Sequence, residues 1–217
     1  AQVDAIFAPD AAEMYPSGFA TWVEPRGPLT ENLEGARRPG HFRGVATVVA
    51  KLLLLICPER VYFGQKDAQQ VAVVRRMIAD LNIPVELRVG STVREADGLA
   101  LSSRNVYLKG PERAAATVLY RALLAGRDAL DVALRMPALP ADVTADIEQV
   151  MAEVVASEPL VTLDYAALCD PDTCAPLAAL RAPALLAIAA RVGATRLIDN
   201  LPLDADGAWD LGATSAD

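Results

Sequence analysis

The segment Phe63–Gln70, FGQKDAQQ, combines residue types that can bind a phosphate. The apolar run before it predicts a buried strand, and Asp67 is of a type that caps helices. In open α/β sheets, ligands lie beyond the carboxyl ends of strands, where free backbone amides attract anions. Gly64 would let a phosphate or adenine approach the backbone closely, and Lys66 supplies a positive charge. Gln70 faces the same opening one helical turn after Lys66. An ordinary strand–turn–helix with a solvated lysine and a capping aspartate is the alternative.

The polar loop Arg94–Asn105 is a second candidate anion site. Ser102 and Ser103 can donate hydrogen bonds to phosphate oxygens, and Arg104 can bind a phosphate with two N–H groups. Gly98 supplies a hinge, so the loop could close over a substrate. A solvated connector in which a serine only begins a turn is the other interpretation.

His41 is the only histidine in the sequence, and it follows two adjacent arginines, Arg37 and Arg38. The arginines form a basic island in an acidic chain, which favours an anionic ligand nearby. A lone histidine can act as a catalyst, but it more often caps or packs. Both roles stay open for His41 on this evidence.

Alternating helices and strands in the first part of the chain predict a parallel sheet. The stretch Leu52–Ile56 is apolar all round, so we expect the end of its helix to be buried on several sides. The predicted elements are a strand over Val3–Pro9, a helix over 42–56, a strand over Val61–Phe63, a helix capped by Asp67 and a strand over Pro84–Val89.

After about residue 92 the pattern changes to two helices and antiparallel strands, which predicts a small α+β domain. We therefore expect domains over 1–92 and 93–217, with an acidic tail after Leu203 that is loose. The predicted elements are a helix from Pro111 that breaks at Met136–Pro140, a helix with its apolar face over Val143–Val154, a strand over Val161–Tyr165 and a hairpin over Leu185–Asn200.

The composition excludes several classes of protein. With 20 basic and 28 acidic residues in a chain of 217, the net charge is −8, whereas nucleic-acid-binding proteins usually present a basic face. Three cysteines do not indicate a disulfide framework and fit a reducing cytosol, and Cys169 and Cys174 with one histidine do not make a metal site. The longest strongly apolar stretch, Val45–Cys57, is too short to span a bilayer.

Five segments in order along the chain resemble the pantothenate synthetase family. The resemblance implies a Rossmann-like nucleotidyltransferase fold, related to class I aminoacyl-tRNA synthetases, in a cytoplasmic homodimer. It implies that pantoate is joined to β-alanine with ATP and Mg²⁺ through a pantoyl-adenylate. The segments are Glu13–Pro16, Arg38–Val45, Phe63–Gln70, Val93–Asn105 and Arg191–Asn200.

The resemblance also implies roles for individual residues. Lys66 and Arg104 would be catalytic, because they would offset charge on the phosphates while the pantoate carboxylate attacks the α-phosphorus. The loop 94–105 would be a mobile lid. The implied ATP-binding residues are Phe63, Gly64, Gln65, Lys66, Asp67, Val93, Leu101, Ser102, Ser103 and Arg104. The implied substrate-binding residues are His41, Val45, Val48, Val49 and Gln70.

Three departures from the family pattern affect this interpretation. Leu101 stands where the family usually has methionine, and Ser91 stands where proline is common. The family's His-x-Gly-His motif is missing, so we expect a nucleotide-binding domain without its first part. On that expectation residues 1–217 alone would make no measurable pantothenate. The alternative is a non-catalytic remnant that binds adenine nucleotide or a partner chain.

Overall fold

In the computed structural model, residues 3–136, 142–177 and 179–215 are described. The first part holds a two-stranded parallel sheet, in which Arg60 pairs with Glu86 and Gly64 with Gly90. The predicted parallel pairing is therefore confirmed. The elements are α1 Ala11–Met14, α2 Pro28–Glu31, α3 Leu33–Arg37, α4 His41–Ile56, β1 Arg60–Gly64, α5 Ala68–Asp80 and β2 Glu86–Gly90.

Helix α4 occupies the predicted range and is bounded by two residues in the left-handed region. Gly40 precedes it at φ 78°, and Cys57 ends it at φ 49°, directly before Pro58. Its last turn differs from the prediction, because only Leu53 is buried while Leu54 is 65% exposed. An apolar stretch is buried only where another element packs against it, and this side of α4 faces solvent.

Two strand predictions in the first part are wrong. The segment Val3–Pro9 has no regular structure, and Ile6 is 82% exposed. Within the described residues β1 pairs with β2 alone, so this segment joins no ladder. Strand β1 is in the predicted place but is not buried, since Tyr62 is 71% exposed.

The second part is built on an antiparallel sheet and two long helices, as predicted. The sheet order is β4–β5–β6, with strands over Val161–Cys169, Ala184–Val192 and Thr195–Leu203. The predicted break over Met136–Pro140 lies mostly outside the described residues. The other elements of this part are β3 Val93–Arg94, α6 Pro111–Ala115, α7 Val118–Leu134, α8 Val143–Ala156 and β7 Ala213–Thr214.

The acidic tail is ordered through Ser215, contrary to the prediction that it is loose. Its strand β7 pairs in parallel with β3, and Trp209 Nε1 donates a hydrogen bond to Asp131 at 2.9 Å. These are long-range contacts that local composition does not reveal. None of the helices in the described part of the chain is long and apolar enough to cross a membrane.

Candidate active site

A cleft lies between the carboxyl end of β1 and the β5–β6 hairpin. Five residues singled out in the sequence line it together: His41, Lys66, Asp67, Gln70 and Arg104. They come from α4, from the β1–α5 junction and from the loop after β3. The two candidate anion sites and the lone histidine therefore share one cleft. The other polar residues of its wall are Glu34, Arg38, Gln69, Tyr165, Asp199 and Asn200.

The β1–α5 junction differs in detail from the predicted capped helix. A short 3₁₀ turn over Gln65–Asp67 precedes α5. Asp67 takes the position before the first residue of α5, but its side chain makes no capping hydrogen bond. The prediction of an Asp67 cap is therefore wrong, and the carboxylate lines the cleft beside Lys66 instead.

The adjacent glutamines of the junction have different environments. The buried Gln69 donates hydrogen bonds from Nε2 to the carbonyls of Leu29 and Asn32, at 2.8 and 2.9 Å. Its Oε1 accepts a hydrogen bond from the backbone N–H of Glu34. Gln69 thus fastens α2 and α3 against α5. Both glutamines line the cleft, but the amide of Gln69 is already used in these bonds.

A partly buried ion pair forms another side of the cleft, and no local pattern in the sequence marks it. Glu34 accepts two hydrogen bonds from Arg196, at 2.7 and 2.9 Å, and one from the Tyr165 hydroxyl at 3.1 Å. Burial and the Glu34 carboxylate raise the pKa of Tyr165, so its hydroxyl stays a donor. Residues 34, 165 and 196 are too far apart in sequence to be grouped by spacing.

The loop 94–105 reaches the cleft at one end only. Ser102 accepts a hydrogen bond from the backbone N–H of Arg104 at 3.2 Å and so begins a 3₁₀ turn over Ser103–Tyr107. This is the turn that the alternative interpretation expected of a serine. Ser102 also lines a small cavity beside Lys66, while Arg104 lines the main cleft.

Several predicted site residues lie outside the cleft wall. Val49 is buried in the apolar core around α4 and α5, with Val45 and Val48 packed against it. Leu101 is 44% exposed. The predicted residues that the cleft wall does not include are Val45, Val48, Val49, Phe63, Gly64, Gln65, Val93, Leu101, Ser102 and Ser103.

A second cleft, rich in arginine, adjoins the first and shares Arg38 and Arg104 with it. Its further arginines are Arg37, Arg191 and Arg196, set against the carboxylates of Glu112 and Asp164. Cations outnumber anions along this wall, although the chain as a whole is acidic. The local field therefore favours anionic ligands where the two clefts meet.

His41 is the first residue of α4 and is half-buried at the cleft wall. Burial lowers its pKa, and the charge of Arg38 lowers it further, against opposing effects of Glu34 and Asp67. Its ordinary pKa is 6.5. The imidazole is therefore neutral at pH 7, with one nitrogen free to accept a hydrogen bond.

Comparison with known proteins identifies the family of the chain. A family model described as pantoate-beta-alanine ligase matches residues 1–202. The pantothenate synthetase of Roseiflexus sp. (strain RS-1) is 52% identical over 204 residues, which cover 94% of this chain and 70% of that protein. That of Moorella thermoacetica is 50% identical over 94% of this chain and 69% of its own length.

Solved structures give the same result and confirm the fold class. Pantothenate synthetase from Thermus thermophilus superposes with a TM-score of 0.84 at 51% identity, over 92% of this chain and 69% of that one. A pantoate-beta-alanine ligase from Francisella tularensis, complexed with beta-gamma ATP and beta-alanine, gives 0.56 at 29% identity, over 87% and 60%. The chain belongs to the pantoate–β-alanine ligase family.

Proposed function

We propose that this chain catalyses the ATP-dependent condensation of pantoate with β-alanine to pantothenate. A pantoate carboxylate oxygen attacks the α-phosphorus of ATP, and pyrophosphate leaves. The amine of β-alanine then attacks the acyl carbon of the pantoyl-adenylate, loses a proton and displaces AMP. The observation that carries the proposal is the single cleft shared by His41, Lys66, Gln70 and Arg104 in a chain of this family.

The ATP side of the cleft is assigned to the β1–α5 junction and to the loop 94–105. Lys66 and Arg104 are the proposed catalytic residues. Their positive charges would stabilise the negative charge that builds up on the phosphates during adenylation. Ser102 and Ser103 would donate hydrogen bonds to phosphate oxygens once the loop closes. The further ATP contacts proposed are Phe63, Gly64, Gln65, Asp67, Val93 and Leu101.

The pantoate side is assigned to Gln70 and His41, with apolar contacts to the valines of α4. The Gln70 amide can both donate to and accept from the hydroxyl and carboxylate groups of pantoate. A neutral His41 can accept a hydrogen bond. Because its pKa is lowered, it carries no positive charge that would pair with the pantoate carboxylate and oppose its attack on the α-phosphorus. The valines proposed are Val45, Val48 and Val49.

Magnesium fits this cleft as a companion of ATP. The described residues hold no cluster of three or more His, Cys, Asp or Glu side chains that could bind a metal alone. Magnesium commonly uses one or two carboxylates together with phosphate oxygens and water, and Asp67 supplies a carboxylate at the cleft. When bound there, the ion would neutralise phosphate charge. The homodimer and the cytoplasmic location stay predictions from the resemblance.

The proposal is tested by AMP release that depends on both pantoate and β-alanine. It is measured with residues 1–217 alone and with the same chain joined behind a His-x-Gly-His segment from a relative. We expect turnover in the joined form. ATP binding without AMP release in either form would overturn the proposal in favour of a non-catalytic nucleotide-binding chain.

Lys66→Ala is the decisive variant in the form that turns over. We expect AMP release to fall by about 10²–10³, the usual effect of losing one preorganised group that stabilises charge in the transition state. Lys51→Ala is the matched control, because Lys51 lies over the ring of Phe19, away from the cleft. Wild-type AMP release by Lys66→Ala would remove Lys66 from the mechanism.

A further inference from the structure

The side chain of Asn200 joins the β5–β6 hairpin to the backbone that carries Lys66. Its Nδ2 donates hydrogen bonds to the carbonyls of Gln65 and Lys66, at 3.0 and 2.9 Å. Its Oδ1 accepts a hydrogen bond from Gln65 Nε2 at 3.1 Å. Asn200 is only 3% exposed. Both N–H donors of the amide are thus used on the 3₁₀ turn that begins the ATP side of the cleft.

Asn200 is itself fixed by a buried ion pair between Asp199 and Arg94. The backbone N–H of Asn200 donates to Asp199 Oδ1 at 2.8 Å, and its carbonyl accepts from Arg94 at 3.3 Å. The two oxygens of Asp199 accept from Arg94 at 2.6 and 3.1 Å. Both charged side chains are almost fully buried, so water does not compete for these bonds.

All five N–H donors of Arg94 have acceptors, which gives its guanidinium one orientation. Besides the three bonds to Asp199 and Asn200, it donates to the carbonyls of Gly98 and Leu211, at 3.1 and 2.7 Å. Its Cζ atom also lies 4.2 Å from the ring centre of Tyr120. Arg94 and Gly98 belong to the loop 94–105, which carries Arg104 near its other end. Arg94 therefore anchors the base of the loop directly and, through Asn200, the turn that holds Lys66.

We propose that Asn200 is a positioning residue for Lys66. A lysine side chain has four rotatable bonds, so its ammonium group is placed only as well as its backbone is fixed. Asn200 fixes that backbone by holding the Lys66 carbonyl and the one before it. The inference rests on the proposed function, because it concerns the same ATP-facing lysine. It adds Asn200, a residue to which the family resemblance assigns no role.

The test is a double-mutant cycle on ATP affinity, measured by calorimetry with residues 1–217. Lys66→Ala is expected to weaken ATP binding by about 10–100-fold, the loss of one hydrogen bond to a charged group. Asn200→Leu, which keeps volume and removes all three amide bonds, is expected to weaken it by about 10-fold. In the Lys66→Ala background Asn200→Leu is expected to add less than about 2-fold, because its effect passes through Lys66.

A merely structural role gives a different result. In that case the losses multiply, and the double variant binds ATP about 10-fold more weakly than Lys66→Ala alone; this outcome overturns the inference. Trp209→Phe is the control, because it removes one hydrogen bond that docks the tail and touches neither Lys66 nor Asn200. Its ATP affinity is expected to stay within about 2-fold of wild type.

A second Asn200 variant covers a folding failure, and one further result separates this inference from the proposed function. If Asn200→Leu does not fold, as judged by near-ultraviolet circular dichroism, the cycle is run with Asn200→Ala, which removes the same three amide bonds without adding a charge beside Lys66. The same criterion of non-additivity then applies. Failure of AMP release by the joined form, with an intact non-additive cycle, would overturn the proposed reaction and leave the positioning role standing.

Discussion

The two sheets of the molecule are covered to very different degrees. In β1 the residues alternate between exposed and half-buried, and Tyr62 is 71% exposed. In β5 every residue except Arg191 is buried, because α7 and α8 pack on one face while Leu33 of α3 and Ala68 of α5 pack on the other. Both strands are apolar in sequence. The comparison shows that apolar composition defines a strand, whereas neighbouring elements decide whether it becomes a core.

The candidate active site lies where the less covered region meets the better covered one. Lys66 and Gln70 come from the first, while Arg104 and Asn200 come from the second. The hydrogen bonds of Asn200 run from the well-packed hairpin to the turn that carries Lys66. The well-packed antiparallel part therefore helps to fix the backbone of Lys66 in the less covered part. The changes below are ordered from the largest expected effect to the smallest.

The largest effect is expected for Arg94→Met. Burial raises the pKa of the Asp199 carboxyl, and the charge and hydrogen bonds of Arg94 oppose this. Without Arg94 the carboxylate is buried unpaired or must take up a proton, so the free energy of unfolding at pH 7 should fall by about 3–5 kcal/mol. Urea denaturation measures it.

The companion variant separates charge burial from lost packing. In Arg94→Met with Asp199→Leu no charge is left unpaired, so the double variant should be more stable than Arg94→Met alone. A double variant at least as unstable as the single one would mean that the guanidinium's bonds to the carbonyls of Gly98 and Leu211, and not the ion pair, hold this region together.

The next effect compares one substitution in both regions. Leu186→Ala in β5 removes a fully buried side chain and should lower the free energy of unfolding by about 2–5 kcal/mol. Leu54→Ala in α4 removes one that is 65% exposed and should change it by no more than about 0.5 kcal/mol. Equal losses in urea denaturation would show that Leu54 is covered in solution and that the contrast between the regions is not real.

Most of the helices and strands follow from local pattern, and the errors share one cause. The helices α4, α5, α7 and α8 and the β5–β6 hairpin agree with the sequence because their periodicity and turn residues are local. The strand over Val3–Pro9, the burial of Leu54–Ile56 and the loose tail depend instead on whether a distant partner is present. Nothing in the tail's composition indicates that β7 pairs with β3.

The residues of the candidate site also divide into those that the local sequence marks and those that depend on distant partners. The cleft residues Lys66, Gln70 and Arg104 stand in short polar segments that mark a strand end or a loop, so they could be named from sequence. Glu34 and Asn200 could not, because their partners lie more than 130 residues away. Such residues carry no local signal of their own, even where they shape the wall of the cleft.

A smaller effect is expected for Gln70→Ala, which tests the pantoate side of the cleft. Losing one or two neutral hydrogen bonds should weaken pantoate binding by up to about 10-fold and leave ATP binding almost unchanged. Calorimetric titration with each ligand measures both. Gln149→Ala is the matched control, since Gln149 is exposed on α8 and bonds to Glu153. Equal losses for the two ligands would make Gln70 a structural residue like Gln69.

The smallest effect is the pH dependence contributed by His41. Because burial and Arg38 lower its pKa in the folded protein below the ordinary 6.5, the unfolded chain binds a proton more readily than the folded one. Stability therefore falls as pH drops below about 6.5, and it is unaffected by this group above that pH. His41→Gln should lose this part of the acid sensitivity below pH 6.5, with no change at about pH 8. The difference between the urea midpoints of the two proteins at each pH isolates His41 from the carboxylates that also titrate in acid. A wild-type protein that gains stability relative to His41→Gln on acidification would mean that Glu34 and Asp67, and not burial, dominate the environment of the ring.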